Sequence, residues 1–159
     1  MDSVKLRLLE AEIKAQLEKI ERVYLELEDR AGQMQPETPG PIESTAYQLH
    51  NLYNAVEDLF KIVANAFENH VTDLSQWHTE LLRRMSLKIS GVRPALLSQE
   101  IADQLNELRA FRHFFRHAYN IRLDFGRVEQ NLEVAQNVRP LLRRDVVAFL
   151  QALGLSGEE

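Results

Sequence analysis

Arg112, His117 and Tyr119 spell R-x4-H-x-Y inside the stretch LNELRAFRHFFRHAYNIRLD, residues 105–124. A guanidinium can hold a phosphate, an imidazole can move a proton, and a phenol stands beside both. His113 and Arg116 lie between the motif positions and Arg109 just before them, so the stretch is rich in groups that bind anions. Leu105, Leu108, Phe111, Phe115 and Ala118 recur at steps of three and four, the period of an amphipathic helix. At about 100° per residue, Phe111, Phe114, Phe115 and Ala118 crowd one side, and Arg112, His113, Arg116 and His117 spread over the other. Arg112 and Tyr119 return to within roughly 20° of each other around the axis. The spacing therefore predicts one helix, running to about Arg122, that displays all four functional groups to the same side.

The Arg, polar residue, short spacer and His of this stretch resemble the signature of the HEPN superfamily, small helical ribonuclease and nucleotide-binding domains. Here His113 fills the polar slot. Tyr119 narrows the resemblance to the HepT toxins, partners of MntA-type nucleotidyltransferase antitoxins, and in helix order it covers residues 43–153. The resemblance implies a metal-independent endoribonuclease that acts as a homodimer on RNA, with tRNA the usual substrate. It also implies that the antitoxin attaches AMP to Tyr119 to silence the toxin. By the same resemblance Arg112 and His117 would be catalytic, with His113, Arg116 and Arg109 supporting or binding phosphate.

The residues bear on that chemistry independently. No carboxylate cluster is evident, which points away from two-metal hydrolysis. The remaining route uses the 2'-hydroxyl of the RNA and leaves a 2',3'-cyclic phosphate. An imidazole, with an ordinary pKa of about 6.5, suits proton transfer to the leaving 5'-oxygen or from the 2'-hydroxyl, and Arg112 would stabilise the phosphate. One imidazole cannot easily serve as acid and base at once, so a second is required, either His117 of a second copy or His113. Blander readings also fit the pattern: surface ion pairs for the arginines, a satisfied helix histidine, a packed tyrosine. His113 and His117 are four apart, as helical metal-ligand pairs are, but no third ligand stands out; neither metal nor cofactor is expected. The rival function is a non-catalytic helical module that binds a nucleotide or the nucleotidyltransferase.

A chain of 159 residues is expected to form a single domain with a core of its own, and it has no cysteine. That removes disulfides and thiolate chemistry and fits a reducing compartment. No apolar run is long enough for secretion or for a membrane span, so a soluble, cytoplasmic protein with no membrane partner is expected. The net charge is −5, but it is unevenly spread. Residues 83–122 hold eight Lys or Arg against three acids, whereas 31–82 hold one base, Lys61, against seven acids. Such segregation predicts one basic region on an acidic body.

Five helical segments position the motif, and no stretch alternates in the manner of a strand. The fold predicted is all-α, an antiparallel bundle of four to five helices. Residues 3–30 carry Leu6, Leu9, Ile13, Leu17, Ile20, Tyr24 and Leu27 on one stripe, suited either to the bundle or to pairing with another chain. Residues 31–42, with Gly32, Pro36, Pro39, Gly40 and Pro41, read as a long loop that frees this helix. Ser44 or Thr45 then caps a helix ending near His70, and Asp73 or Ser75 caps a third containing Trp77, Leu81, Leu82 and Met85. Ser98 caps the motif helix after a turn at 90–94, Asp124 caps the last, Pro140 kinks or splits it, and Gly154 stops it. His50, His70 and His78 read as structural or surface residues.

Overall fold

The computed structural model describes residues 1–68 and 77–156, which form five α-helices: α1 (Ser3–Ala31), α2 (Pro39–Phe67), α3 (Trp77–Met85), α4 (Gln99–Arg116) and α5 (Phe125–Ala152). The described residues contain no strand, only one isolated bridge between Ile89 and Arg93.

The apolar stripe of α1 is spent within the chain. Leu9, Ile13, Ile20, Tyr24 and Leu27 are buried, each apolar side chain contributing about 1.5–3 kcal/mol of burial. Gln16 Nε2 donates to the Ala55 carbonyl of α2 at 2.8 Å, and Tyr24 Oη donates to Ala135 of α5 at 2.7 Å. Arg139 of α5 lies over the Tyr24 ring at 4.9 Å and pairs with Glu21 and Glu28. Glu10, near the start of α1, accepts from the Ser156 hydroxyl just past the end of α5 at 2.9 Å, whereas Tyr24 meets Ala135 further back in α5, so α1 and α5 are antiparallel.

Helix α2 begins at Pro39, not at Ser44 or Thr45. Prolines fit a first helical turn, where the missing N–H has no intrahelical partner anyway. Thr45 instead points its hydroxyl back to the Pro41 carbonyl at 2.7 Å. The expected loop therefore shrinks to residues 32–38, and α1 is zipped along α2 rather than freed. Helix α2 ends at Phe67; His70, Asp73 and Ser75 lie outside the described residues.

Between α3 and α4 the chain turns through Gly91, whose φ of 77° is left-handed. The turn is fixed by Arg93, a buried side chain whose Nη1 donates to the Leu87 and Pro94 carbonyls and whose Nη2 donates to Arg84 O and Glu68. Ser98 occupies the N-cap position of α4, but its hydroxyl and N–H both donate to Asp145 on α5, at 2.9 and 2.8 Å. Asp124 caps α5 by accepting from the Arg127 N–H at 3.0 Å. Pro140 leaves α5 one continuous helix, unsplit. Gly154, with φ 83°, ends it through bonds from Leu155 N–H to Leu150 and from Gly154 N–H to Gln151.

Candidate functional site

Helix α4 stops at Arg116, short of the expected Arg122. His117 is its C-cap, with φ −109° and ψ 8°, and its N–H closes the last turn on Phe114 O at 3.1 Å. Leaving the helix there changes the expected display. Tyr119 is not on the helix face of Arg112; it stands in the following turn with 85% of its surface exposed. His113 and His117, both exposed, meet edge to face with ring centroids 4.7 Å apart. Arg116 is exposed beside them, and Arg109, half-buried, donates to Asn106 at 2.9 Å. A shallow depression lined by Glu43, Phe115, Arg116, Tyr119, Ile121 and Leu123 adjoins this end of the helix.

Arg112 is the exception among the motif residues. It was expected on the exposed polar face, yet it is 3% exposed and turned toward α2. Its Nη1 donates to Glu57 Oε1 at 3.1 Å and to Asn54 Oδ1 at 2.9 Å, and its Nη2 donates to Glu57 Oε2 at 3.3 Å. Its guanidinium carbon lies 4.6 Å from the centre of the Tyr53 ring, and its Nε is buried without a partner. The physical reason is long-range pairing: a buried guanidinium needs a carboxylate, and α2 supplies one where the antiparallel helices touch.

The same carboxylate reaches further. Both Glu57 oxygens lie 2.9 Å from Nδ1 of His78, at the start of α3. On the other side, Asn54 Nδ2 lies 3.4 Å from His50 Nδ1, and the His50 ring packs on Phe115 with centroids 5.5 Å apart. Burial pushes the His50 imidazole below its ordinary value, and the charges of Arg112 and Arg116 push the same way, so it stays neutral near pH 7. A polar chain thus runs His50, Asn54, Arg112, Glu57, His78 along one side of α2. Sequence reasoning set His50 and His78 aside and gave Asn54 and Glu57 no role. The available signal was an acid on a buried stripe: Glu57 is flanked by Tyr53, Val56 and Phe60, all of them inside.

The basic region is correspondingly smaller than its composition suggests. Arg93 and Arg112 are internal, and Arg83 and Arg84 pair with Glu80. Lys88, Arg116 and Arg122 remain exposed. Among the described residues no group of three or more His, Asp or Glu side chains could hold a metal ion, and no helix is long and apolar enough to cross a membrane. The exposed end of α4 thus gathers a cation that can bind an anion, Arg116, two imidazoles, His113 and His117, and the exposed phenol of Tyr119.

No curated protein and no solved structure matches this chain. Among protein families, residues 44–153 match the one described as HepT-like protein. That span begins within α2 and takes in α3, α4 and all of α5, including the motif and the residues that bury Arg112. The chain belongs to the HepT-like family and is a HEPN-type helical bundle.

Proposed function

We propose that this protein is a metal-independent endoribonuclease toxin whose substrate is RNA, with tRNA the class to test first. Family membership suggests a HEPN-type toxin. The observation that carries the finer reading is the exposed His117 imidazole at the C-cap of α4, with Arg116 and Tyr119 next to it and His113 against its ring. In this reading the 2'-oxygen attacks phosphorus, the bond to the 5'-oxygen breaks, and His117 delivers a proton to that oxygen. The products are a 2',3'-cyclic phosphate and a 5'-hydroxyl. Arg116 and Arg109 hold the phosphate, while Arg112 serves the reaction by anchoring α4 to α2 through Glu57 and Asn54. A homodimer that sets two such helix ends opposite each other is part of the proposal.

Tyr119 gives the site its control. Its phenol is open to an MntA-like nucleotidyltransferase antitoxin, and AMP on its oxygen would place a negative diester near Arg116, where RNA phosphate binds. Expression in cells tests the whole reading. The wild-type chain arrests growth, His117→Ala does not, and Tyr119→Phe arrests growth even when the nucleotidyltransferase is co-expressed. Arrest that persists in His117→Ala contradicts the assignment.

A further inference from the structure

The depression at the end of α4 is lined by two opposite charges that do not pair with each other. Glu43, near the start of α2, and Arg116, the last residue of α4, form no hydrogen bond or ion pair among the described residues. Most of the remaining lining is apolar or aromatic, with Phe115, Tyr119 and Leu123 contributing. The Phe115 ring is fixed by His50 at 5.5 Å and by Phe111 at 6.4 Å, whereas the Tyr119 ring, 85% exposed, is open to stacking. The hollow holds about 350 Å³, near the lower end of the range of about 300–1,000 Å³ for small-ligand sites, which is room for one nucleoside. A simple anion is repelled by Glu43 and a simple cation by Arg116. The occupant that suits both carries N–H donors at one end and negative charge at the other, as an RNA nucleotide does. Arg116 and Ala118, both in the lining, bracket His117 in the chain, so a nucleotide here stands beside that imidazole.

The carboxylate also chooses among the bases, because when ionised it only accepts. Guanine presents N1–H and its 2-amino group side by side, a match for two carboxylate oxygens. Adenine and cytosine set a ring-nitrogen acceptor next to their amino group, and uracil flanks its one N–H with two carbonyls. Those acceptors face the carboxylate unfavourably.

We propose that this depression is the base-recognition site of the ribonuclease and that Glu43 selects guanine at the nucleotide beside the cleaved linkage. The inference rests on the nuclease reading given above. Glu43 accepts from guanine N1–H and from the 2-amino group, Tyr119 stacks on the base, Phe115 and Leu123 supply the apolar floor, and Arg116 holds the phosphate. An edge that is read this way must be unpaired, so the cut falls in a loop or a single-stranded end. Glu43 touches no reacting atom and determines specificity alone.

The full-length chain is incubated in chelator with unmodified tRNA transcripts, as wild type and as Glu43→Gln, and the cut sites are mapped. The transcript cut best is then remade with inosine, which lacks the 2-amino group, in place of the guanine at its cut, and kcat/KM is compared. The expected result is that cuts cluster beside unpaired guanines and that inosine lowers the wild-type kcat/KM by about 10-fold or more, the worth of a hydrogen bond to a charged acceptor. In Glu43→Gln the inosine penalty shrinks to about 3-fold or less and the preference for guanine collapses. Its melting temperature stays unchanged, since the Glu43 side chain is exposed and unpaired among the described residues. The inosine comparison on the wild type needs no variant, so it stands even if Glu43→Gln folds poorly. Cuts beside all four bases alike, no inosine penalty in the wild type, or the same penalty in Glu43→Gln overturns the role of Glu43 and leaves the nuclease reading in place. Absence of cleavage by the wild-type chain overturns the nuclease reading and this inference with it.

Discussion

Replacing Glu57 with glutamine probes the joint between α2 and the motif helix. Glu57 is 3% exposed, and its oxygens serve Arg112 Nη1 and Nη2 at 3.1 and 3.3 Å and His78 Nδ1 at 2.9 Å. A glutamine there keeps the shape, removes the charge, and turns an NH2 group toward donors. Arg112 is then a buried cation without a counter-charge. Removing one member of a buried pair costs about 3–5 kcal/mol. Asn54 and the Tyr53 ring still face the guanidinium, so the lower end, about 3 kcal/mol, is expected. At about 2–4 °C per kcal/mol for a domain of this size, melting falls by about 6–12 °C. Thermal unfolding followed by circular dichroism reads this directly, and the deficit persists in high salt because a buried pair is poorly screened. Changing Glu57 and Arg112 to leucine together removes both charges and recovers most of the loss. A Glu57→Gln variant melting within about 2 °C of the wild type refutes the account, as does a double variant as unstable as the single one.

Two further outcomes follow from other buried groups. Burial and the nearby Glu57 push the Tyr53 phenol well above its ordinary value, and its hydroxyl has no hydrogen-bond partner. The unfolded chain therefore releases that proton first, and this stabilisation is present below about pH 10 and lost as pH rises beyond it. Tyr53→Phe should change urea unfolding at pH 7 by less than about 0.5 kcal/mol while making stability fall less steeply above pH 10. Asp145, 9% exposed, accepts from both the N–H and the hydroxyl of Ser98, so Asp145→Ala should cost about 2 kcal/mol in urea unfolding; a loss under about 0.5 kcal/mol would remove that bond from the account of how α4 is started.

Much of the bundle was legible because it is written in local periodicity. The α1 stripe, the Asp124 cap and the Gly154 stop depend on residues within a few positions of one another, and each stands where spacing puts it. Proline was misread at the start of α2, since Pro39 and Pro41 break a helix only when a carbonyl four residues earlier needs their N–H. The site was half legible. Motif spacing brought His113, Arg116, His117 and Tyr119 to one exposed end, but the helix finishes at Arg116 and puts Tyr119 in a turn. Arg112 and Arg93 were counted as surface charge, although their partners are distant in sequence: Glu57 for one, Glu68 for the other. Pairings of that kind come from how helices dock, and no local period announces them.

The central claim is that an imidazole at the end of α4 breaks RNA through the substrate's own 2'-hydroxyl. Its most direct measurement is the chemistry of the ends produced when the purified chain meets RNA in excess chelator. The account predicts fragments ending in 2',3'-cyclic phosphate and beginning with 5'-hydroxyl, absent with His117→Ala. Fragments bearing 5'-phosphate, or the same fragments from His117→Ala, would contradict it.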